Sequence, residues 1–104
     1  MSESKPTAID VRHNPAERRF EAVVEGLLSV AEYERRGDEI VFTHTVVPSA
    51  LRGRGIAEAI VRSALAYARD ERLRVVPACS YVAAFVQRHA EYQSLLNETG
   101  ARPS

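Results

Sequence analysis

From Val46 to Ala57 the chain reads Val-Val-Pro-Ser-Ala-Leu-Arg-Gly-Arg-Gly-Ile-Ala, and these residues are the best suited to chemistry. Gly53 and Gly55, two apart, let the backbone approach a ligand closely. A helix that begins behind them leaves the N–H groups of its first turn unpaired. Together with Arg52 and Arg54 they make an anion site suited to a diphosphate. Two familiar phosphate loops do not fit. A P-loop needs lysine and then serine or threonine after its last glycine, where Ile56 and Ala57 stand. A dinucleotide fingerprint needs a third small residue where Glu58 stands, and its distant acidic residue would fall at Asp70 or Glu71, in a helix end.

Cys79 follows a strand candidate and precedes a helix candidate, where the helix N-terminus favours the thiolate and sulfur can act as a nucleophile. As the only cysteine it can equally be a small buried packing residue. His44 lies in the strand feeding the glycine turn, on the same face as Phe42 and Val46 if that strand is regular, and is a candidate general base or a core histidine. Tyr81 and Tyr92 are proton donors by type or amphipathic core residues. His13 falls in a turn signal and is expected at the surface. His89 follows an apolar helical stripe and is expected to pack or cap. No His, Cys, Asp or Glu cluster has metal-ligand spacing, so no metal is expected.

The elements that position these residues follow from periodicity. Alternation at Ile9 to Arg12, turn chemistry at His13 to Ala16 and an apolar run from Phe20 to Val24 predict a hairpin. Leu27 to Tyr33, a turn at Arg35 to Asp38, and the β-branched and aromatic stretch Glu39 to Val47 bring the count to four strands before any helix. After Pro48 the period changes to helical at Ile56, Ile60, Ala64 and Tyr67. With Glu58 and Arg62 four apart, this predicts a helix over Gly53 to Glu71. Leu73 to Val76 reads as a short buried strand, Val82 to His89 as a second, shorter helix, and Tyr92 to Leu96 as a final turn or two.

A length of 104 residues allows about one small domain, expected over residues 7–99 with loose ends at 1–6 and 100–104. Fourteen basic residues balance fourteen acidic ones, which argues against a nucleic-acid or membrane partner. A small nucleic-acid binder using Arg52, Arg54 and Arg88 is a further reading, weakened by the zero net charge and the few aromatics. No apolar run nears the ~20 residues of a membrane span, and the N-terminus lacks the pattern of a secretory leader. A lone cysteine adds to the expectation of a cytoplasmic protein.

Arg52, Gly55 and Ala57 match the acetyl-CoA signature of Arg or Gln, two residues, Gly, one residue, Gly or Ala. The segment resembles the pyrophosphate loop of the GCN5-related N-acetyltransferase superfamily. Pro77-Ala78-Cys79-Ser80-Tyr81-Val82 and the later Arg88-His89-Ala90-Glu91-Tyr92 narrow the likeness to its compact stand-alone members, over roughly Phe20 to Leu96. Ala90 replaces their usual proline.

That resemblance implies an α+β fold: a mostly antiparallel, splayed sheet, with a long helix after the glycine turn and a shorter C-terminal helix. It implies acetyl-CoA as substrate, its diphosphate cradled by Arg52, Gly53, Arg54, Gly55, Ile56 and Ala57 and its pantetheine arm beside Val46 and Val47. The acetyl group would pass to an amine acceptor, a small molecule or a protein lysine. His44 would serve as base and a backbone N–H near Val47 as oxyanion donor, unless Cys79 takes the acyl group first. The elements that cover the acceptor in longer superfamily members are missing, which leaves open a non-catalytic module that binds CoA or a protein partner.

Overall fold

The computed structural model describes residues 9–96. The order is β1 (Arg12–Asn14), β2 (Arg19–Val24), β3 (Leu27–Arg36), β4 (Glu39–Val46), α1 (Ile56–Asp70), β5 (Arg74–Pro77) and α2 (Ser80–Arg88). Short 3-10 turns lie at Pro15–Glu17, Ser49–Leu51 and Ala90–Leu95. The expected ends at 1–6 and 100–104 lie outside the described residues.

The five strands lie side by side in chain order, antiparallel except for the parallel pair β4 and β5. Hairpins join the first four strands through short turns, whereas the parallel fifth needs the crossover that α1 supplies. The result is a mixed α+β architecture with a mostly antiparallel sheet. Helix α1 begins at Ile56, three residues later than its period predicts, because Gly53 and Gly55 both sit at positive φ (84° and 78°) and belong to the turn.

The core lies against one face of the sheet. Phe20, Ala31, Tyr33, Ile40, Phe42 and Val75 meet the apolar stripe of α1 (Ile56, Ile60, Ala64, Leu65) and that of α2 (Val82, Phe85, Val86) in a single cluster. Burial of this kind contributes roughly 1.5–3 kcal/mol per large side chain. Val30 and Val41 are also buried but stand outside that cluster. The register of Val23 with Leu28 and of Val30 with Val46 puts these four on the opposite face. There Val23 (65%), Leu28 (42%) and Val46 (54%) remain exposed.

His13, expected at the surface, is half-buried. Its ring stacks on Phe20 at 4.2 Å, lies 4.5 Å from Tyr67 and pairs with the Tyr33 hydroxyl. The turn residues lie just beyond His13, and β1 folds its side chain over Phe20, its register partner. His89 packs as expected, stacked on Phe85 at 4.1 Å with Nδ1 2.8 Å from the Phe85 carbonyl.

Candidate functional site

Strands β4 and β5 stay paired from Glu39 and Arg74 to Phe42 and Pro77, and then part. The last link is the Cys79 N–H, which donates to the Phe42 carbonyl at 2.8 Å. Beyond it β4 runs on to Val46 while the other chain segment turns into α2. The gap opens into a cleft of about 610 Å³. Thr45, Val46 and Val47 line one wall, Leu51, Arg52, Gly53, Gly55, Ile56, Ala57 and Glu58 another, and Tyr81 closes the α2 side.

Leu51, fully buried, anchors the glycine turn to the core. Arg52 leans back, its Nε donating to the Val47 carbonyl at 3.4 Å. A Cβ added at Gly53 or Gly55 would meet nothing within 4 Å, so it is the positive φ, not crowding, that requires glycine there. Gly55 is the N-cap of α1 and brings no side-chain oxygen to the first-turn N–H groups. Those donors, the positive helix end and Arg52 suit a diphosphate.

Cys79 is the N-cap of α2, and its sulfur stands 3.3 Å from the Thr45 hydroxyl on the cleft wall. Burial pushes the thiol up. Hydrogen bonds from the Thr45 side chain and from the backbones of Val82, Tyr81 and Thr45 outweigh it and hold Cys79 below the ordinary thiol value. Tyr81 is shifted the other way: burial and the nearby Glu58 carboxylate raise its hydroxyl above the usual range.

His44 does not share the face of Phe42. The ladder pairs Phe42 with Tyr33 and His44 with Glu32, so Thr43 is an extra residue in a β-bulge. The Thr43 hydroxyl donates to the Glu32 carbonyl at 3.3 Å. Strand alternation therefore restarts after Thr43, with His44 turned out and Thr45, partner of Ala31, turned in. The His44 side chain is 70% exposed, 3.5 Å from Glu32, in a shallow pocket with Glu17, Arg18 and Glu34 and away from the cleft.

Arg54 does not line the cleft either, because its Nη1 is bonded to Glu25 Oε2 at 2.7 Å across from the β2–β3 turn. Seven of the expected binding residues, together with Tyr81, thus line one cleft, and the buried Cys79 touches it through Thr45. Thr45, Leu51 and Glu58 join them without having been singled out. Leu51 and Glu58 flank the turn in sequence, so mere proximity would have found them; Thr45 could not be found without the bulge. Among the described residues no group of three or more His, Cys, Asp or Glu side chains is placed to hold a metal ion, and no helix is long and apolar enough to cross a membrane.

A fold with a parted parallel pair, a glycine turn at the parting and a long helix behind it defines a class that comparison with known proteins makes explicit. Residues 19–95 match the family described as GCN5-related N-acetyl-transferase. The chain is 38% identical to Protein NATD1 of Bos taurus over 84 residues, covering 78% of this chain and 74% of that one. It is 36% identical to Protein NATD1 of Homo sapiens over 84 residues, with coverage of 78% and 74%. The solution structure of a GCN5-like putative N-acetyltransferase from Staphylococcus aureus superposes with a TM-score of 0.69. Its sequence identity is 21%, covering 85% of this chain and 87% of that chain. The chain belongs to the GCN5-related N-acetyltransferase family.

Proposed function

We propose that this chain binds acetyl-CoA in the cleft between β4 and α1 and transfers the acetyl group to a primary amine on a small molecule or a protein lysine. The observation that carries the reading is the glycine turn, whose two positive-φ glycines line the cleft at the uncapped start of α1. Gly53 to Ala57 would hold the diphosphate through backbone N–H groups, with Arg52 adding charge. The edge of β4 at Val46 and Val47 would take the pantetheine amides.

Cys79 is the proposed nucleophile, supported by its lowered thiol and by its contact with Thr45, which lines the cleft, although the sulfur itself is buried. Its sulfur would bond to the acetyl carbon as the CoA thiolate leaves. Tyr81, which lines the same cleft, would give that thiolate a proton. The Tyr81 phenolate would take a proton back from the acceptor's ammonium, of pKa about 10.4, and the freed amine would then take the acetyl group, its own lost proton going to the Cys79 sulfur to regenerate the thiol. Direct attack on the thioester, with His44 as base, is the alternative route, and the bulge that turns His44 outward weighs against it. A second reading, CoA binding without transfer, draws support from the same displacement of the base.

The test is calorimetry with acetyl-CoA followed by intact-protein mass spectrometry. Binding plus one hydroxylamine-labile acetyl group on Cys79 supports transfer through sulfur. Binding with no acetyl turnover to any amine supports the non-catalytic module, and no binding overturns both.

A further inference from the structure

The turn between β2 and β3 is a two-residue hairpin loop, Glu25 and Gly26, with Val24 and Leu27 paired on either side. Both loop residues have positive φ, 53° at Glu25 and 77° at Gly26. Loops of this shape favour Asn, Asp or Gly at the first position, because a side chain there crowds its own backbone. Glutamate is a strained choice, and the structure shows what its extra reach does. Its carboxylate extends to Arg54, 29 residues away between the two glycines of the turn, and bonds Nη1 at 2.7 Å. Arg54 is therefore held outside the cleft, while Arg52 lines it.

We propose that Glu25 competes with the CoA diphosphate for Arg54, so that the hairpin loop sets how tightly the nucleotide end is held. The proposal rests on the reading of the glycine turn as the diphosphate site. Both side chains are accessible, 47% for Arg54 and 62% for Glu25. Their pairing is thus of the weak, exchangeable kind that a doubly charged ligand can displace. An arginine freed from its carboxylate offers a planar pair of donors to phosphate oxygens.

The experiment measures CoA and pantetheine binding by calorimetry for the parent, Glu25→Gln, Glu25→Asn, Arg54→Ala and Glu25→Gln combined with Arg54→Ala. Removing the carboxylate is expected to tighten CoA binding about threefold at low salt, the scale of an exposed ion pair, with the gain shrinking as salt rises. Glu25→Asn, better suited to the loop, should raise the melting temperature while giving the same gain, which separates fold from affinity. Pantetheine, which has no diphosphate, should bind all variants alike, and the gain should vanish in the Arg54→Ala background. CoA binding that is unchanged or weaker in both Glu25 variants overturns the competition while leaving the diphosphate site standing. Failure of the parent to bind CoA at all overturns the site and the competition together.

Discussion

The Thr45 hydroxyl stands 3.3 Å from the Cys79 sulfur, across the gap where β4 and β5 part. This contact joins the strand that leads into the glycine turn to the N-cap of α2, and it is one of the bonds that favour the thiolate. Iodoacetamide should therefore modify Cys79 in the folded protein with a midpoint below the ordinary thiol value of 9.0. Thr45→Val removes a donor to the sulfur and should move that midpoint up. An unshifted midpoint in the variant would deny the hydroxyl its role. Bound CoA should slow the modification.

His44→Gln distinguishes the two routes to transfer. With His44 turned out towards Glu32, its loss should leave both CoA affinity and the acetylation rate within about twofold of the parent, as for surface substitutions remote from a site. Cys79→Ala should abolish transfer and keep CoA binding. The reverse pattern in steady-state assays would restore the imidazole as base.

At Gly55 the φ of 78° resists any side chain, although space is open around it. Gly55→Asp should lower stability by roughly 1–2 kcal/mol, the usual penalty for an L-residue in that region, and put a negative charge at the start of α1. Loss of acetyl-CoA binding in a variant that still melts cooperatively is the expected outcome, read by calorimetry and thermal denaturation.

Stability should fall as pH drops through the histidine range. Burial, with a smaller contribution from Arg35, lowers His13 below its ordinary value of 6.5. Because the folded value is the lower one, protonation favours the unfolded chain, and the stability lost begins near pH 6.5 and levels off below the folded value. Tyr33, whose hydroxyl pairs with the ring, is raised by burial and so stays neutral in this window. His13→Phe, which preserves stacking on Phe20, should flatten the profile in urea titrations between pH 7 and 5. A profile of unaltered slope would place the pH dependence elsewhere.

Ser29 is fully buried on β3, and its hydroxyl has no hydrogen-bond partner. Ser29→Ala should be neutral or stabilise the fold by about 1 kcal/mol, since a buried unpaired polar group costs on the order of 1–3 kcal/mol. Clear destabilisation on chemical denaturation would reveal a bond that the hydroxyl makes.

Most of the architecture is legible in the sequence because it rests on local periodicity. The stripe of Ile56, Ile60 and Ala64, the β-branched run into Val46 and the glycine pair each announce themselves within a few residues. What escapes is set by partners distant in sequence. Nothing near His44 signals that the ladder skips Thr43, because a bulge depends on the register with β3. The tie of Arg54 to Glu25 and the stacking of His13 on Phe20 likewise arise only when strands align. In each case the facing of the side chain, which the local sequence does not encode, is what the structure changes.

The bulge also gives β4 one residue of slack. Thr43 has no opposite number on β3, so the ladder can close without it, with Phe42 still inward, His44 outward and Thr45 inward. A chain shortened by either Thr43 or His44 should keep its thiol contact, because the residue that remains takes the outward place opposite Glu32 and Thr45 stays paired with Ala31. Single-residue length differences among relatives are most easily absorbed at this point. An alignment that places its gap beyond Thr45 would match Thr45 with residues that never meet the sulfur.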